Sequence, residues 1–311
     1  MSYHIARSRV YIVDLEHINI SEEQFKLPIN IQKLPLKVQT VSEAGGLGFL
    51  AGGFDVSPLE SNLEEAVRLV KKSTELEHFN AGAGTGILPI GVGFLNWGTD
   101  LTKSIAAIEK YRLCATKVWV QVGTVAEAIA VAEAPSLDVL VVQGSDAGGR
   151  GLAQSASIIT LVPETDDIPL LVAGGIADRR GLAAALALGV SGAVTGTRFL
   201  ALSETKIAPG YQNEVLRASD GGTISVRSTV YDRVRETLSW PTRYGGRGII
   251  TRAIALYEEE LKKGGVGWGP DARITTYAGT GVGLVKERLR ASEITANVIQ
   301  EAQDIIRRLK E

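Results

Sequence analysis

The chain has 311 residues, with 33 Lys and Arg against 35 Asp and Glu, so no basic excess points to nucleic acid or to an anionic membrane surface. Cys114 is the single cysteine and His4, His17 and His78 are scattered, which excludes an intramolecular disulfide and argues against a metal site. No stretch approaches the roughly 18 apolar residues of a membrane span, and the N-terminus lacks the apolar core of a signal peptide; a reducing, cytoplasmic setting fits.

In chain order, the first forty residues have no steady period. "RVYIVDL" (9–15) suits a strand, while "EEQFKLPINIQKLPLK" (22–37), with two prolines, reads as loop. From about residue 44 to residue 200 short apolar runs alternate with helical periodicity, the pattern of βα units on a parallel sheet. The strands are "GLGFLAG" (46–52), "LPIGVGFLN" (88–96), "KVWVQVG" (117–123), "LDVLVVQG" (137–144), "IPLLVAGGI" (168–176) and "SGAVTGTRFL" (191–200). Between them "SNLEEAVRLVKKSTEL", "DLTKSIAAIEKY", "TVAEAIAVAEA" and "DRRGLAAALALG" carry the helical spacing. After residue 203 the rhythm stops: 204–290 reads as an elaboration packed over one end of the sheet, and 291–310 as a closing helix capped near Ser292 with Glu293 behind it. Length and rhythm together favour one α/β domain of TIM (β/α)8 type, incomplete in that six strands are readable.

Glycine is enriched, 35 residues or about 11% against roughly 7% on average, and much of the excess follows apolar runs. "VAGGIAD" (172–178) and "VTGTRF" (194–199) end successive strands. In a (β/α)8 barrel such loops commonly bind phosphate, because glycine lets backbone N–H groups approach the oxygens and a following helix offers its positive end. Gly174, Gly175, Gly196 and Thr197 suit that role. One strand earlier, "QGSDAGGRG" (143–151) places Gln143 to bond a heterocycle edge and Gly148 and Gly149 to let a planar ring lie close. A phosphate held by two loops with a flat ring beside a third describes a flavin mononucleotide (FMN) site.

The order "AGGLGFLAGGF", "PIGVGFLNWG", "QVGTVAEA", "VVQGSDAGGRG", "AGGIADRRGLAAALALGVSGAVTGTRFL" and "YAGTGVGLVKE" resembles the nitronate monooxygenase (2-nitropropane dioxygenase-like) family, nearest its fungal branch, over residues 38 to 290. The resemblance implies an FMN-dependent TIM barrel that oxidises alkyl nitronates, small anions, with O2 to a carbonyl compound and nitrite. It assigns Gln143, Gly148, Gly175 and Val194–Thr197 to the flavin, and Asn96, or alternatively Gly93, to the family's asparagine after the third strand. Three features depart from the pattern. The family's catalytic histidine is Arg150 here, and a guanidinium stays charged and cannot serve as the base, though it can bind an anionic nitronate or stabilise reduced flavin. No Ala-Pro-Met precedes "VSEAGGLGF". Only "LCA" stands where another strand and helix are expected, and a parallel crossover needs a dozen or more residues. A degenerate, non-catalytic barrel and an NAD(P)H-dependent quinone or enoyl reductase of the same fold are therefore the rival readings. "DARITTYAGTGVG" (271–283) either folds over the flavin with Tyr277 near the ring or forms a surface loop. Trp240, Arg243, Tyr244 and Arg247 suit a lid rim or a homodimer contact.

Overall fold

All six apolar runs form strands. In the computed structural model the described residues are 34–44, 47–53, 56–76, 90–94, 100–111, 119–133, 137–165, 170–205, 207–234, 237–251, 268 and 274–310. Strands β1 (Gly48–Gly53) and β2 (Ile90–Phe94) pair in parallel, and β3 (Trp119–Val122), β4 (Val139–Gln143), β6 (Leu170–Ala173) and β7 (Gly192–Val194) form a second parallel sheet in that order. Register is continuous across the larger sheet: Gln121 faces Val141, Val141 faces Leu171 and Leu171 faces Gly192. Because successive strand residues point to opposite faces, Leu140, Val142, Leu170 and Val172 enter one core, shared with Val122, Ala128, Leu161 and Ala185. Leu171 and Ala173, in the alternate positions, line an interior cavity.

The helices follow from spacing and caps. In α2 (Leu59–Lys72), Leu59, Leu63, Ala66 and Val70 share the buried face. Helix α3 is Leu101–Tyr111, with Asp100 accepting from the Lys103 amide at 3.1 Å. Helix α4 (Val125–Ala132) starts at Thr124, whose hydroxyl accepts from the Glu127 amide at 3.2 Å. A short α5 (Ile158–Leu161) precedes β6, and α6 (Arg179–Ala187) follows it.

Two expectations are corrected at the N-terminal side and in the loop after β4. Residues 34–37 are helical, as the start of α1 (Leu34–Glu43); Pro35 sits in the first turn, where its missing N–H would have no intrahelical partner anyway. "RVYIVDL" lies outside the described residues. The run 149–152 is not loop but strand β5 (Gly149–Leu152), in an antiparallel sheet of order β5-β9-β8 with β9 (Tyr244–Ile249) and β8 (Ser225–Ser228). Its partners come from the irregular 204–290 segment, which also holds α7 (Pro209–Arg217), α8 (Gly221–Ile224) and α9 (Val230–Val234).

Helix α10 (Ala291–Lys310) closes the chain, packing on α6 and α1. Its first turn is held one step earlier than expected: Glu293 accepts from the Arg290 amide at 2.8 Å, and the Ala291 amide donates to Glu204 at 3.0 Å. Among the described residues no ladder joins β2 to β3 or β7 to β1. Beside the β7–β1 gap stand α1 and α10, whose Val41, Ile294, Thr295 and Val298 line the same cavity as Phe49 of β1 and Ala193 of β7. Among the described residues no helix is long and apolar enough to cross a membrane.

Candidate functional site

The cavity, about 310 Å³, opens at the carboxyl ends of β6 and β7. Its rim is formed by residues of two strand ends, Gly174 to Ala177 and Val194 to Thr197, with Ala147 and Gly148 beside them. Gly174 and Gly175 have φ of +102° and +76°, a left-handed conformation that side chains strain. At Gly174 a Cβ would stand 2.9 Å from the Gly144 carbonyl oxygen, and at Gly175 it would stand 3.0 Å from the Asp146 side chain. The turn after β6 therefore nests on the turn after β4, and only glycine permits both the dihedrals and the approach.

Helix α6 contributes less to this rim than expected. Asp178 caps it, accepting from the Arg180 and Gly181 amides at 3.0 and 3.2 Å, so two of its N-terminal donors are already engaged. Partial burial opposes the ionised carboxylate, but the Arg180 side chain and these amides outweigh it and hold Asp178 below the usual carboxylate range.

A third loop locks the first two. Thr280 donates its amide to the Asp146 carbonyl (3.0 Å) and its hydroxyl to the Asp146 carboxylate (2.8 Å), and the Gly279 amide donates to the Thr197 hydroxyl at 3.0 Å. A Cβ on Gly148 would lie 2.2 Å from the Gly279 nitrogen, so that side of Gly148 is filled by the 278–279 backbone. From this segment Gly281 reaches the cavity wall, whereas Tyr277 is buried against Tyr231 at 5.7 Å between ring centres.

Arg150 does not line the cavity. Strand β5 turns it to the opposite side of the antiparallel sheet, where its guanidinium forms an ion pair with Asp232, donates to Thr237 at 3.0 Å and stacks on Trp240 at 4.3 Å from the ring centre. At 5% exposure it is part of a buried network rather than a charge presented to solvent. Trp240 also meets Tyr244 edge-on, and Arg243 pairs with Glu127 at the start of α4, so this aromatic and arginine cluster fastens the small sheet to the large one.

The face of the small sheet turned towards β4 carries two cations: Arg247, which the sequence grouped with a lid rim or homodimer contact, and Arg227, which the sequence pattern did not single out. Arg227 and Arg247 stand opposite each other in the β8–β9 ladder, and Gly149 faces Arg247 across the β5–β9 ladder. Arg227 donates to the carbonyls of Ala147 (2.6 Å), Gly149 (3.1 Å) and Gly245 (2.6 Å), clamping the loop after β4. Half-burial lowers the Arg247 pKa, and the neighbouring Arg227 charge adds to this against the pull of Asp146 and Tyr231. Gln143, at the end of β4, is buried with its amide oxygen 2.8 Å from where a Gly151 Cβ would stand. The alternations "SVRS" and "YGGRGI" were the available signal for these strands, masked by their polarity.

The structure thus gathers Gly148, Gly174, Gly175, Val194, Thr195, Gly196 and Thr197 around one cavity. Gln143 and Gly149 lie beside it on β4 and β5, and Arg150 lies behind. Asn96 is outside the described residues; its alternative, Gly93, pairs with Ala51 within β2. Phe49, Trp119 and Thr295 line the cavity as well and were not anticipated.

The sequence profile described as nitronate monooxygenase matches residues 92–238. Nitronate monooxygenase npaC of Metarhizium robertsii is 38% identical over 90% of this chain and 90% of its own length. A nitronate monooxygenase of Neurospora crassa is 31% identical over 87% and 86% respectively. Among solved structures, nitroalkane oxidase from Streptomyces ansochromogenes superposes with a TM-score of 0.63 at 20% identity, covering 89% of this chain and 94% of that one. FabK from Thermotoga maritima gives 0.64 at 23% identity, covering 89% and 91%. At these identities the likenesses show the fold, an α/β architecture of TIM-barrel type.

Proposed function

The chain belongs to the nitronate monooxygenase family, and from that premise we propose that it is an FMN-dependent oxidoreductase converting alkyl nitronates and O2 to a carbonyl compound and nitrite. The observation that carries this reading is the convergence of the two glycine-bearing strand ends, 174–177 and 194–197, on one cavity. The residues present fit a phosphate-bearing cofactor there: the left-handed Gly174 and Gly175 on one strand end and Gly196 on the other carry no side chain at the rim. Amides of 174–177 and 194–197 would hold the phosphate, while Ala147, Gly148 and Gln143 would border the ring. When bound, the flavin supplies the electron acceptor for the nitronate, and O2 completes the oxidation.

The protein's own residues then have three tasks. Loops 146–148 and 279–281 seal the rim through the Asp146–Thr280 bonds. Arg227 fixes the position of the loop after β4, and Arg227 and Arg247 together give that face a positive potential suited to an anion. Arg150 braces the wall from behind. A nitronate has already lost the proton next to its nitro group, so a site with an arginine at the family's histidine position suits the preformed anion better than the neutral nitroalkane.

Recording the visible spectrum of the purified protein, with and without added FMN, tests the cofactor. Oxygen uptake is then compared for ethylnitronate and for nitroethane at the same pH. We expect flavin bands and faster uptake with the nitronate. A protein that binds no flavin, or whose bound flavin stays oxidised under anaerobic nitronate, overturns the reading. Oxidation of NADH or NADPH without nitronate turnover would favour the reductase alternative.

A further inference from the structure

The cavity extends well below its rim. Gly48 and Phe49 open β1, Trp119 opens β3, and Leu171 and Ala193 are second in β6 and β7, so their side of the cavity lies towards the starts of the strands. Leu171 is two positions before Ala173, a drop of about 6–7 Å along a strand. In a complete eight-stranded barrel this level is filled by layers of branched side chains. Here Gly48 and Ala193 leave it open, and its outer wall is Val41 of α1 with Ile294, Val298 and Ile299 of α10. Phe49 and Trp119 meet at the inner end, 5.5 Å between ring centres.

A buried hydroxyl stands among these apolar side chains. Thr295 is 8% exposed and its hydroxyl, buried on α10, has no hydrogen-bond partner among the described residues. Such a hydroxyl carries a desolvation cost that a ligand atom relieves. A heterocycle edge has several donors and acceptors and would leave most of them unpaired among these side chains, whereas a hydrocarbon chain has none to lose. Apolar-lined cavities of this kind stay dry and take apolar guests.

From this geometry we propose that the deep end is a substrate chamber for an aliphatic chain, with Thr295 meeting one oxygen function carried on that chain. The proposal rests on the reading of the upper rim as the cofactor's phosphate site, and it names the substrate class as longer-chain, singly oxygenated alkyl nitronates.

Straight-chain carboxylates from acetate to decanoate are suitable probes, being planar two-oxygen anions that the enzyme cannot oxidise. They are titrated into the FMN-loaded protein by calorimetry, while flavin binding is followed separately by absorbance. The expected result is a Kd that falls about four-fold per methylene up to a plateau. Val298→Phe and, independently, Ala193→Leu move the plateau to shorter chains. The ω-hydroxycarboxylate near plateau length binds more tightly than its parent, and Thr295→Val removes that preference. An affinity independent of chain length, with FMN bound, overturns the chamber and leaves the proposed function standing. Chain-length dependence in a protein that binds no FMN supports the chamber and removes the proposed function.

Discussion

Arg150 illustrates how a residue's chemistry is set by what it meets. Its charge is matched within the fold by Asp232, and the pair is buried with Thr237 and Trp240 around it. Replacing Arg150 by methionine strips Asp232 of its charged partner, and denaturant unfolding should show a loss of about 3–5 kcal/mol. The double change Arg150→Met with Asp232→Leu should recover most of that loss, because an apolar pair replaces an ion pair at little net cost. Asp178 behaves differently, being a partly buried cap. Asp178→Ala should cost about 1 kcal/mol of stability at neutral pH. Since its folded pKa is depressed, this contribution is present above the unfolded value near 3.9 and is lost as pH falls through the lower folded value. The mutant and parent stability curves should therefore converge in acid, as thermal melts from pH 7 down to pH 2 would show.

Strand β5 owes its existence to β9, just as β9 owes part of its order to β8. A four-residue strand with two glycines has little intrinsic preference for extended structure, and its ladder partners arrive from the 204–290 segment. Arg227 ties this small sheet to the loop after β4 through the Ala147 carbonyl and joins β5 and β9 through those of Gly149 and Gly245. Arg227→Met should leave the large sheet folded while amide exchange in 147–152 accelerates by an order of magnitude or more, each charged hydrogen bond being worth about 1.5–3 kcal/mol. If FMN binds beside this loop, its affinity should fall in the same variant. Unchanged exchange would mean that the β5–β9 ladder alone holds the loop.

At the scale of the molecule the parallel strands do not close on themselves among the described residues, and two helices far apart in sequence, α1 and α10, line the cavity where β7 and β1 approach it. Ala291, Ile294 and Ala302 of α10 are buried, so the helix is part of the fold and not an appendage. A chain ending at residue 290 should expose Ala193 and the floor of the cavity, and should lose FMN affinity and cooperative unfolding together. Calorimetry of the truncated chain checks this, and a sharp transition with intact FMN binding would count against the role given to α10. Gly174→Ala tests the rim at the same scale. It forces a side chain into φ +102° and against the Gly144 carbonyl, so it should cost about 1–3 kcal/mol and weaken FMN binding.

The sequence by itself determined the six parallel strands, the helices between them and the two glycine-bearing strand ends, because an apolar period and a turn residue act over a few neighbouring positions. "VAGGIAD" and "VTGTRF" could be read as one site since consecutive strands of such a fold deliver their ends to the same face. Only the tertiary structure decided the partners of Arg150, the strand character of 149–152 and the walls that α1 and α10 give the cavity. Each of those depends on a contact between distant segments, as Arg150 with Thr237, 87 positions along the chain. Burial and charge pairing are properties of the assembled neighbourhood, and the local pattern around "GGRG" carries no information about the carboxylate that will face it.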